Sequence, residues 1–134
     1  MTCKYLLDTN IASYVIKGNV PAVRRRLERL PMWQVAVSAV TEGELRYGVA
    51  RRPEALRLGT VVEEFLLRVT VQVWDSAAAA QYGRVRAAIE RNGRPMGNLD
   101  LMIASHALSL GAILVTNDRA FTCIDGLRLE NWTQ

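Results

Sequence analysis

The chain contains little of the chemistry from which thiol, zinc or histidine-based sites are built. It has one histidine, His106, and two cysteines, Cys3 and Cys123, near opposite ends. Without CxxC spacing or a His/Cys cluster, a zinc or thiol redox site is disfavoured, and the cysteines read as small core-filling thiols. No apolar run approaches the roughly 20 residues of a membrane span. The opening MTCKYLLDTN meets a carboxylate at position 8, where a secretory leader would stay apolar. A cytoplasmic protein with no membrane association is therefore expected. Aromatic residues make up only 7% of the chain, too few for the platforms on which sugars stack, which argues against a glycosidase. Lysine is scarce too, so nearly all of the basic charge is arginine.

What is present fits one ordinary globular domain spanning residues 1–134, half of them hydrophobic and 22% charged. The net charge of +4, carried on guanidinium forks suited to phosphate, leans modestly toward a polyanionic partner. Apolar runs at 3–7, 34–37, 71–74 and 112–116, with a short edge run at 127–129, read as strands. Between them lie helical patterns. One runs from Thr9 to Lys17 and stops at Gly18; Thr9 and Asn10 offer its capping oxygens. A second starts near Pro21, a third covers 39–52 under a Ser38 cap, and Pro53 begins a fourth. A fifth follows Asp75 or Ser76, and Asn98 opens a sixth. Alternating strands and helices predict a three-layer α/β/α sandwich with a central, mainly parallel sheet.

Four carboxylates occupy well-formed junctions: Asp8, Glu44, Asp100 and Asp118. Asp8 and Asp118 follow buried strands, at the edge where open α/β sheets collect ligands. Asp100 sits in a first helical turn. Glu44 and Glu42 are two residues apart on a helix and face nearly opposite sides, so only one of them joins a common site. Glu44 shares a stripe with Val40, Gly43, Tyr47 and Gly48, where an acid needs a partner. Plainer roles exist for each: a turn or cap for Asp8 and Asp118, a capping box for Thr41-x-x-Glu44, a helix-dipole partner for Asp100. Taken together, the acids would repel one another unless a cation lay between them. Oxygen-only donors point to Mg²⁺ or Mn²⁺.

LLDTNIASYVI, then SAVTEGELRYG, then GRPMGNLDLMIASHA, then ILVTNDRAF resemble, in order and over essentially the whole chain, the PIN-domain ribonucleases. The similarity is greatest to the VapC toxins of bacterial toxin–antitoxin pairs. The resemblance implies a compact α/β/α endoribonuclease using Mg²⁺ or Mn²⁺, a VapB-like antitoxin that occludes the site, and a homodimer. Carried over by motif, the family's acids fall on Asp8, Glu44, Asp100 and Asp118, with small polar support from Asn10, Thr116 or Asn117. Arg84, Arg86, Arg91, Arg94 and Arg119 are candidates to guide RNA phosphates. His106, two helical turns beyond Asp100, is read as packing or capping. A phosphatase of the haloacid dehalogenase type would need an Asp where Asn10 stands. The remaining alternative is a non-catalytic RNA- or partner-binding module of the same fold.

Overall fold

Tyr5–Leu7 forms the central strand, β1, of a five-stranded sheet. The computed structural model describes residues 3–134. The other strands are β2 (Val35–Ser38), β3 (Thr70–Gln72), β4 (Ile113–Val115) and β5 (Leu129–Glu130). Their order is β3-β2-β1-β4-β5, and every pairing is parallel. The helices are α1 (Thr9–Lys17), α2 (Pro21–Glu28), α3 (Ala39–Ala50), α4 (Leu56–Arg68), α5 (Ser76–Arg91) and α6 (Asn98–Leu110). Short 3-10 turns cover Met32–Gln34 and Arg119–Cys123.

The sheet is covered on both faces, which is why its strands are continuously apolar. Alternation along each strand splits the core in two. Tyr5, Leu7, Val35 and Val37 pack with Ile11 of α1, Val23 of α2, Leu45 of α3 and Phe65 of α4. Leu6, Ala36 and Leu114 pack on the opposite face with Val85 and Ile89 of α5 and Ile103 and Ala104 of α6. The result is the three-layer sandwich that the alternation of elements implied.

Most strand and helix ends differ from the sequence reading by a residue or two, and two of the differences have a clear local reason. β3 ends at Gln72 instead of Trp74. Gln72 pairs with Ser38, and Ser38 leaves the ladder to cap α3, so no partner remains. Val73 is consequently 72% exposed, while Trp74 turns away and donates its indole N–H to the Met102 carbonyl at 3.0 Å. Pro53 does not open a helix. It follows Arg52 in a turn closed by the Ala55 N–H on the Arg52 carbonyl at 3.0 Å, the position whose φ proline already holds. α4 starts only at Leu56.

From β1 the chain steps outward to β2 and β3, then crosses back to place β4 on the other side of β1. Such a reversal opens a crevice at the carboxyl ends of β1 and β4.

Candidate active site

Asp8 stands at that crevice. Its backbone N–H continues the sheet by donating to the Val115 carbonyl at 3.0 Å. Its side chain caps α1, accepting the Ile11 N–H at 2.9 Å. The cap is Asp8 itself and not Thr9 or Asn10, which lie inside the helix. Asp8 as a residue is 5% exposed, and burial raises its pKa. The Thr116 hydroxyl and the Ile11 N–H pull it back, and Asp100 and Asp118 push it up again.

Asp118, just beyond β4, caps the following 3-10 turn by accepting the Ala120 N–H at 2.9 Å. Its own N–H donates to the Thr116 hydroxyl oxygen at 3.0 Å, so Thr116 steadies the Asp8–Asp118 pair. Asp100 lies half-buried in the first turn of α6. Burial raises its pKa first, then the charges of Asp118 and Glu44. Asp100 and Asp118 thus act on Asp8, and Asp118 and Glu44 act on Asp100.

Glu44 points inward from α3. Thr9 of α1 donates its hydroxyl to Glu44 Oε1 at 2.6 Å and lies 3.1 Å from the Thr41 hydroxyl. The capping-box alternative is removed: α3 is capped by Ser38, and Thr41 is buried within the helix. Glu42 faces away, paired with Arg46 at 3.1 Å, and Arg46 also binds Glu63. Of the two glutamates on α3, Glu44 is therefore the one turned toward the other acids. The sequence offers Thr9 as a source of capping oxygen. With Asp8 capping α1, its hydroxyl is instead free to hold Glu44.

Of the supporting candidates, Thr116 is buried at the site. Asn10 is exposed in the first turn of α1, and Asn117 is exposed and donates to the Tyr14 hydroxyl at 3.3 Å. His106 lies away from the acids. It is buried, with Nδ1 2.9 Å from Ser38 Oγ. Burial lowers its pKa, with Asp75 and the Val73 backbone opposing, so the ring is neutral near pH 7.

The arginines divide into two sets. Arg84 is engaged with Gln81 at 2.6 Å, and Arg86 with Glu90 at 3.1 Å and the Tyr82 hydroxyl at 3.0 Å. Arg91 at the end of α5 and Arg94 in the turn to α6 lie at the end of the fold that carries Asp100, and Arg119 adjoins Asp118; all three are exposed.

The donor set suits a hard divalent ion: four carboxylates, two of which burial and like charge make reluctant to ionise, a condition a cation relieves. Among the described residues no three His, Cys, Asp or Glu side chains are gathered tightly enough to enclose an ion by themselves. Mg²⁺ commonly keeps several waters and takes only one or two carboxylates directly. Two clefts meet at Glu44. One, of about 660 Å³, is lined by Val40, Tyr47, Leu99 and Met102. The other, of about 290 Å³, is lined by Ile16, Leu45, Leu58 and Val62. Both are mostly apolar; Glu44 is the acid they share and Arg51 the base, with Lys17 and Arg52 also lining the smaller one.

The PIN domain family matches residues 5–127. The tRNA(fMet)-specific endonuclease VapC of Shigella flexneri is 43% identical over 131 residues, covering 97% of this chain and 98% of that protein. Ribonuclease VapC2 of Haemophilus influenzae is 40% identical over 135 residues, covering 96% and 98%. The crystal structure of DNA-bound VapBC from Salmonella typhimurium superposes with a TM-score of 0.91 at 39% identity, covering 97% and 98%.

Proposed function

This chain belongs to the PIN-domain family and, within it, to the VapC ribonucleases; from that premise we propose that it is an endoribonuclease toxin whose four acids hold a divalent metal ion against an RNA phosphodiester. The observation that supports the reading most is electrostatic: burial and the charges of Asp100 and Asp118 raise the pKa of Asp8, and burial and the charges of Asp118 and Glu44 raise that of Asp100.

Asp8 and Asp100 are the direct ligands in this proposal. Glu44 and Asp118 complete the site through water or at its rim. Mg²⁺ or Mn²⁺, when bound, lowers the pKa of an attacking water and offsets charge building on the phosphate. The chain's own part is orientation. The Ile11 N–H fixes one Asp8 oxygen, Thr9 holds Glu44, and Thr116 seats the backbone of Asp118. Arg91, Arg94 and Arg119 draw the phosphate chain toward the acids, and Arg84 and Arg86 contribute if they exchange their present partners. No histidine base is required.

Hydrolysis of this kind leaves 5′-phosphate and 3′-hydroxyl ends. Cleavage of a structured RNA with Mg²⁺ or Mn²⁺, followed by end-group analysis, tests it directly. Cyclic-phosphate ends formed in EDTA would refute the mechanism. RNA binding without cleavage, unchanged when the acids are replaced, would leave only a binding module. The apolar clefts around Glu44 suit a VapB-like antitoxin helix that delivers a basic side chain to the acids. Adding such an antitoxin should stop cleavage. In this proposal the chain is a single domain that pairs as a homodimer in the cytoplasm. No helix of the described residues is long and apolar enough to cross a membrane.

A further inference from the structure

The geometry points to Ser38 and His106 as a positioning pair that sets the spacing between the helices carrying Glu44 and Asp100. The inference rests on the role proposed above for those two acids.

Ser38 ends β2 and caps α3; its Oγ accepts the Val40 N–H at 3.0 Å. The same oxygen lies 2.9 Å from His106 Nδ1, across 68 residues of sequence. Both side chains are buried, Ser38 at 0% exposure and His106 at 1%. Among the described residues, His106 Nε2 is the buried side-chain nitrogen or oxygen without a well-formed hydrogen bond, although the Val73 backbone also acts on the ring. If Nδ1 carried the proton, both the Ser38 hydroxyl hydrogen and the Nε2 lone pair would go unmet. If the Ser38 hydroxyl donates to Nδ1, only the Nε2 proton does, and that is the arrangement with fewer unmet groups. The bonds then run from the Val40 N–H to Ser38, and from Ser38 to His106.

A buried polar atom without a partner is costly and calls for an explanation. An apolar side chain in the same place would avoid that cost but could not receive the Ser38 proton. The bond joins the residue that caps one acid-bearing helix to the middle of another. Glu44 lies six residues beyond Ser38, and Asp100 six residues before His106. At the helical rise, each acid is about 9 Å along its helix from the bond. A tilt of about 5° at the bond would displace a carboxylate by roughly 0.8 Å, enough to cost a site of this kind tenfold or more. Two further contacts complete the bracing. Thr9 fastens α3 to α1 through Thr41 and Glu44, and Trp74 fastens the exit of β3 to Met102 of α6. Neither links α3 directly to α6; the Ser38–His106 bond does.

The test uses the full chain carrying Ser38→Gly, His106→Leu, the double substitution, His106→Asn, and Asp100→Asn as the reference for loss of a ligand. Glycine keeps most of the capping preference, so Ser38→Gly removes the hydroxyl at small folding cost. Cleavage rates at saturating Mn²⁺ and Mn²⁺ affinity by calorimetry are the readouts. Ser38→Gly and His106→Leu should each lower kcat about tenfold to a hundredfold and weaken Mn²⁺ binding, leaving KM for RNA within about threefold. The double variant should be no worse than the poorer single one, because one bond is lost in all three. His106→Asn, whose amide oxygen replaces Nδ1 as acceptor, should recover most of the rate. Losses that multiply in the double variant, His106→Asn no better than His106→Leu, or unchanged kcat and Mn²⁺ affinity in Ser38→Gly would each overturn the inference. If His106→Leu does not fold, Ser38→Gly and His106→Asn decide it. Normal cleavage by Asp100→Asn would instead refute the site itself.

Discussion

Asp8 serves two ends that pull against each other. As the cap of α1 it stabilises the fold, and as a buried acid among acids it strains it. Its folded pKa, like that of Asp100, lies above the usual carboxylate value. The folded chain therefore binds these protons more tightly than the unfolded one. The penalty is absent below the unfolded pKa of about 3.9, grows as pH rises through the raised folded values, and is complete above them. Asp8→Asn, which keeps a capping oxygen, and Asp100→Asn should thus melt at higher temperature than the unsubstituted protein in EDTA at pH 7. That advantage should fade toward pH 3 and shrink when Mg²⁺ is added. A lower melting temperature for both variants at pH 7 would mean that the acids are not under mutual strain. Thr9 gives a second prediction at this scale. Thr9→Val preserves shape but removes the hydroxyl that holds Glu44 at 2.6 Å. Its cleavage rate should fall about tenfold, as expected when a positioning bond to a charged group is lost.

At the scale of elements, α6 shows how little of a helix need belong to the site. Asp100 lies in its first turn, and Gly111 closes its far end at φ 64. A Cβ built there meets nothing within 4 Å, so Gly111→Ala is strained through its backbone alone. It should cost about 1 kcal/mol, read as a shift of the denaturant midpoint. Cleavage per folded molecule should be unchanged, since the strain lies a whole helix away from Asp100. The stop of α1 at Gly18 was legible because a left-handed cap favours glycine and the signal is local. The end of β3 was not, because it depends on where β2 stops offering a partner. Thr41-x-x-Glu44, the plainer alternative for Glu44, is set aside for a related reason. The pattern is a valid capping box, but Ser38 sits three residues earlier at the true end of the strand and takes the cap.

Over the whole molecule, the charge of +4 and the exposed arginines near Asp100 and Asp118 predict RNA binding that weakens steeply with salt. Measured on a cleavage-dead Asp100→Asn background, Arg91→Glu and Arg94→Glu should each flatten the log–log salt slope by about 0.7 for a single-stranded contact. Unchanged slopes would assign those charges to plain solvation. The sequence by itself determined the alternation of strands and helices, hence the layered parallel sheet, and it determined which four acids stand at junctions. Those properties are written within a few neighbouring residues, as periodicity, caps and breaks. Only the tertiary structure decided that Thr9 holds Glu44 across 35 residues and that His106 reaches Ser38 across 68. Such pairs follow from the order in which strands enter the sheet, and strand order brings together residues whose local sequences carry no sign of each other.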